Sequence, residues 1–207
     1  MKTKSIILKV LVALIALVSV NVYAQDNEYA PSKYVEFTDS LGLIKNVHLV
    51  INDQVEGMCW TNINQVKQNA RLTLEQSGIS VYDEPLMIIS PLSTNLIIAG
   101  HGRRSYDNGC YGNIELSSYR IVDIAFGNIS VERIGINFKR SMIVSSEKNL
   151  NDLFVSSVDT LVSMFCSDVI AGRRNPIVSE ILKNTKNITP TTKREFGKMV
   201  KEVTEKE

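Results

Sequence analysis

Histidine, tryptophan and cysteine are scarce in this 207-residue chain, which holds two, one and three of them. Neither His48 nor His101 falls in a paired metal-ligand spacing, so no dedicated zinc site is expected, and no cofactor motif is present. Gly100-His101-Gly102 follows a strand pattern but opens no helix, which excludes a dinucleotide or phosphate loop. An excess of one charge is also missing, since the net charge is +1. Nothing marks a nucleic-acid-binding surface, whose footprint would be a basic body. Past the first two dozen residues, no stretch approaches the roughly 18 apolar residues of a membrane helix.

The one long apolar run lies at the start. Lys2, Lys4 and Lys9 precede Val10 to Val18, and Val22-Tyr23-Ala24 offers tolerated residues at the −3 and −1 positions of signal peptidase. That tripartite order is an export signal. Residues 1–24 are expected to be a cleaved signal peptide, and the mature chain to begin at Gln25, without an integral membrane segment. The short leader points to a bacterial chain and a periplasmic or secreted address. The leader takes three of the 23 Lys and Arg and none of the 22 Asp and Glu, so the remainder carries −2. From Arg173 onward there are nine basic residues against five acidic, leaving an acidic body before a basic tail.

Periodicity divides the remainder into one α+β domain, 25–172, and a helical C-terminal tail, 173–207. Asn46 to Asn52 reads as a strand. Ile63, Val66, Ala70 and Leu74 then follow a 3.6-residue period, with Thr61 as N-cap and Ser77-Gly78 as the stop. Strand patterns follow at 79–82, 86–90, 95–101, 110–124 and 131–144, separated by turn chemistry at 105–109 and at Gly127-Asn128. In the last of these, Ile134, Ile136, Phe138, Met142 and Val144 are assigned one face, with Arg140 as the exception. A second helix is expected from Ser146 as cap to Gly172, with Leu150, Leu153, Phe154, Val158, Leu161, Phe165 and Val169 in one stripe. Arg173 to Pro176 reads as a break, 177–183 as a short helix, and Thr189-Pro190 as the cap of a charged final helix. Consecutive strands with segregated helices imply a mainly antiparallel sheet of about four to five strands, with two helices on one face.

Three cysteines in an oxidising compartment leave three possible pairings. The reading favours Cys59–Cys110, since both stand at element ends, whereas Cys166 lies within the second helix, where a buried thiol packs like an apolar residue. Trp60 is expected to pack over that bridge. The densest polar cluster is residues 100–107. There Arg103 and Arg104 are candidates for clamping a carboxylate or phosphate, and His101 for a general base oriented by Asp107. The bland reading of the same residues is a solvated hairpin loop. With no specific catalytic constellation, the sequence points away from an enzyme and toward a binding or assembly module of the bacterial envelope, with an envelope protein or a small anion as partner. The alternative is a small exported hydrolase or transferase using the 100–107 loop. A third possibility, docking of the basic tail on a membrane or polyanion, rests on charge asymmetry.

Overall fold

The apolar alternation that begins at Asn46 builds the first strand of a five-stranded sheet. A computed structural model describes residues 35–36, 38–85, 92–126 and 129–185, with side chains except those of 120–134. A short 3₁₀ helix (Asp39–Leu43) leads into β1 (Asn46–Val55), α1 (Ile63–Gln76), β2 (Ser80–Tyr82) and β3 (Ser93–Arg104). These are followed by β4 (Cys110–Phe126), β5 (Ile129–Ser146), α2 (Asn151–Gly172) and α3 (Pro176–Asn184). The expected leader, the strand at 86–90, the Gly127-Asn128 turn and the Thr189-Pro190 cap lie outside the described residues.

The strands run in the order β2-β1-β3-β4-β5. β3, β4 and β5 form an antiparallel meander, while β1 pairs in parallel with both β2 and β3. The sheet is therefore mixed, and its longest pairing, β4 with β5, is antiparallel. The parallel β1–β2 pair exists because α1 carries the chain back to the starting edge, a crossover that a hairpin cannot supply.

Alternation along the strands sorts side chains to two faces. On one face Val47, Leu49, Leu96, Ile98, Ile114 and Leu116 are each at most 2% exposed. α1 and α2 pack over it. Val66, Ala70 and Leu74, four residues apart, form the buried line of α1, and Gly78 at φ +72° ends that helix in the left-handed conformation glycine accepts. From α2, Phe154 meets Trp60 edge-on at 5.0 Å between ring centroids, and Phe165 meets Phe138 at 5.3 Å. These offset geometries add to the burial of the rings themselves.

Helix starts depart from expectation for identifiable reasons. α1 begins after Asn62 rather than Thr61, because the Thr61 amide donates to Asn151 Oδ1 and its hydroxyl accepts from Asn151 Nδ2. The two helix N-termini are thus tied to each other. α2 starts after Leu150, not Ser146, because β5 keeps pairing with β4 through Ser146. By length and composition α2 is also long and apolar enough to cross a membrane, contrary to the expectation for the mature chain. Here its apolar stripe, Phe154 through Val169, lies buried in the protein core. Ile136 does not share a face with Phe138. A register shift at Ser118/Tyr119 leaves Asn137 as an extra residue and turns Ile136, 56% exposed, to the other side.

The break after α2 is itself well packed. Arg173 is half-buried, and its guanidinium donates to the Ile44 carbonyl at 2.9 Å and to those of Ser77 and Gly78 at 3.5 and 3.4 Å. A cation there meets the negative end of the α1 dipole. Asn175 caps α3 through its side chain and donates to Asp39 Oδ2 at 2.7 Å, while Pro176 takes the first helical turn.

Candidate functional site

Among the described residues, the second sheet face carries no helix. Its side chains come in rows set by register. Val50, Ile97, Ser117 and Lys139 form one row; Gln54, His101, Asn113 and Ile143 form another; Arg103, Tyr111 and Ser145 end the series. The last two rows border an open trough of 690 Å³, which Glu56 also lines. Glycines shape the floor from the helical side. A Cβ on Gly100 would come within 2.5 Å of the Trp60 ring, and Gly102 faces Gly112 across the strands against Leu150.

The strand alternation separates residues that the sequence had grouped. Arg103 points to the trough, where its Nε–H donates to the Tyr111 hydroxyl and its guanidinium carbon lies 5.3 Å from that ring's centroid. Arg104 points the other way and donates to the carbonyls of Gly57 (3.1 Å), Asn108 (2.7 Å) and Lys148 (3.5 Å). Both border a smaller recess of 330 Å³ with Tyr106 and Tyr111, but Arg104 is largely engaged by backbone and serves as a brace.

Asp107 belongs to the turn. Its carboxylate accepts from the Ser105 hydroxyl, and that bond, with the backbone amides of Gly109 and Asp107, lowers its pKa below 3.8. Among the described residues no hydrogen bond joins it to His101. His101 sits half-buried in the trough wall, flanked by Gln54 and Asn113. His48, on the same face, contacts Asn95, with His48 Nδ1 3.0 Å from Asn95 Oδ1. No group of three or more His, Cys, Asp or Glu is placed to hold a metal among the described residues.

The disulfide lies beside this site. Cys59 and Cys110 are bonded, with Cα atoms 5.7 Å apart. The bridge ties the α1 entry loop to the first residue of β4, opposite Arg104 in the register. Leu150 N–H donates to the Cys59 carbonyl at 2.7 Å, so the start of α2 is anchored at the same point. Cys166 is unpaired and buried, and burial raises its thiol pKa. Trp60 packs against Phe154 and Gly100, with its Nε1 buried and unpartnered. Sequence reasoning passed over Tyr111, Asn113 and Ile143. Their signal was the alternation of β4 and β5, which has meaning at the site only once the register with β3 is known.

No protein-family model and no curated protein matches this chain. Among solved structures, a point variant of the PelC dodecamer from Paraburkholderia phytofirmans aligns with a TM-score of 0.35 and 10% identity, over 59% of this chain and 87% of that one. The PelC dodecamer in another crystal form gives 0.29 and 13%, over 61% and 89%. Likenesses at this level carry no functional argument.

Proposed function

We propose that this protein is an exported, disulfide-braced binding module of the bacterial envelope, whose recognition surface is the trough at the end of the helix-free sheet face. The partner is an extended protein segment bearing an acidic side chain. The observation that carries this reading is Arg103, an exposed guanidinium held over Tyr111, for which no ion pair is formed among the described residues. A guanidinium so oriented offers its remaining N–H groups to a carboxylate in forked geometry. Gln54, Asn113, Ser141 and Ser145 supply neutral donors and acceptors alongside, and Ile143 an apolar contact. The disulfide supports the address, because such bonds persist in oxidising compartments.

The test is a titration of the protein with a short capped acidic peptide, followed by amide chemical shifts. Saturable shifts are expected at Arg103, Tyr111 and Asn113, weakening with added salt as exposed charges require. Arg103→Ala should abolish them, and His101→Ala should leave them nearly intact. Shifts that survive Arg103→Ala, or that map elsewhere, refute the reading.

A further inference from the structure

The recess at the β3–β4 hairpin adjoins the trough. It measures 330 Å³ and is bordered by Arg103, Arg104, Ser105, Tyr106 and Tyr111. Arg103 and Tyr111 line the trough as well, so the two spaces meet at those residues. Tyr106 stands fully exposed at the tip, and Tyr111 is 38% exposed. A single exposed tyrosine on a surface requires no explanation. Two tyrosines on the border of one recess, beside a guanidinium with no ion pair among the described residues, require one.

The tip is held in place by its own hydrogen bonds. The Ser105 amide donates to the Gly109 carbonyl at 2.7 Å, and the Asn108 amide donates to the Ser105 carbonyl at 3.1 Å. Arg104 donates to the Asn108 carbonyl at 2.7 Å, and the turn leads straight into the bridged Cys110. Tyr106 is therefore carried on a braced backbone, where an aromatic ring offers large contact area at little cost in conformational entropy. Asp107, the next residue, is ionised at neutral pH, since bonds from the Ser105 hydroxyl and the amides of Gly109 and Asp107 lower its pKa. A second anion at the tip would meet that charge, so the recess suits a neutral group.

We propose that the recess takes an aromatic side chain of the bound segment, two positions from the acidic residue at Arg103, and that Tyr106 sets this preference. The proposal rests on the trough reading and adds the second side chain that the segment must carry. In an extended chain, side chains two positions apart share a face and stand about 6.5–7 Å apart. That spacing lets one segment place its carboxylate at Arg103 and its ring in the adjoining recess. Ring pairs in edge-on or offset contact gain energy beyond the burial of their area, which an aliphatic side chain in the same place does not supply.

Chemical-shift titration with capped tripeptides tests it, using Glu-Gly-Phe and Phe-Gly-Glu, each beside its counterpart with leucine in place of phenylalanine. In one of the two orders the phenylalanine peptide is expected to bind about two- to tenfold tighter than the leucine one. It should also shift the Tyr106 amide together with that of Arg103. Tyr106→Ala should erase the preference and Tyr106→Phe should keep it, with circular dichroism unchanged, because the side chain is exposed on a turn. Equal affinity for the phenylalanine and leucine peptides in both orders overturns the inference. So does a preference that survives Tyr106→Ala or disappears in Tyr106→Phe. Any of these results, with saturable shifts at Arg103 retained, leaves the trough reading standing. Absence of saturable shifts at Arg103, Tyr111 and Asn113 with every peptide sinks the trough reading and this inference with it.

Discussion

The two faces of one sheet use the same strands for opposite ends. On the helical face Val47, Leu49, Leu96, Ile98, Ile114 and Leu116 are nearly solvent-free, and Gly100, Gly102 and Gly112 give way to Trp60 and Leu150. On the other face, one residue along in each strand, the row is His101, Asn113 and Ile143, followed by Arg103 and Tyr111. A period of two therefore divides the buried face from the proposed recognition surface, and the division is sharp enough to test by substitution. A change on the helical face should cost folding free energy, and one on the trough face should cost binding.

The largest effect is expected from Phe165→Ala. This ring is fully buried against Phe138, and its loss should cost about 3–5 kcal/mol, read from chemical denaturation. Removing the bridge with Cys59→Ser and Cys110→Ser opens a loop spanning 51 positions, worth about 4 kcal/mol in the chain-entropy model. The melting temperature in reducing and non-reducing buffer checks it. Arg173→Met should cost about 1–3 kcal/mol, because the Ile44 carbonyl loses its charged donor. A loss of less than half that would mean the turn after α2 is held by Asn175 alone.

Cys166 offers a test by pH. Burial raises its thiol pKa above the ordinary 9.0, so the folded protein holds the proton more tightly than the unfolded chain. The associated stability is complete below pH 9 and declines as pH rises from there through the folded-state value. Cys166→Ala should flatten the alkaline limb of a melting-temperature profile taken from pH 8 to pH 11. An unchanged limb would place the alkaline sensitivity in other groups. Smallest of all, His101→Ala and Tyr111→Ala should change stability by less than about 0.5 kcal/mol, as surface substitutions do. A larger loss at either position would blur the contrast between the faces and make the trough part of the core.

Much of the fold was legible because each helix and strand buries a periodic stripe. Val66, Ala70 and Leu74 in α1, and Phe154 to Val169 in α2, lie where their spacing puts them. The Cys59–Cys110 pairing was legible too, from the positions of both residues at element ends and of Cys166 inside a helix. The candidate site was not legible to the same degree. Residues 100–107 looked like one polar cluster, yet alternation divides Arg103 from Arg104, and Asp107 closes its own turn with Ser105 and Gly109. Ile136 was misplaced because a one-residue irregularity reverses the alternation beyond it, and the sequence carries no mark of a bulge there.

Local pattern by itself determined where the main helices and strands of the described residues lie, though not their ends, and which stripes in them are apolar. Backbone geometry ties side-chain direction to a period of 3.6 or 2, so no knowledge of neighbours is needed for that much. Tertiary structure alone decided who the neighbours are. The parallel placement of β1 between β2 and β3, the meeting of Gln54, His101, Asn113 and Ile143 in one row, and the place of β5 at the end of the described sheet all depend on strand order and register. Those are set by the packing of residues far apart in the chain, and a one-residue slip would send every side chain of a strand to the other face.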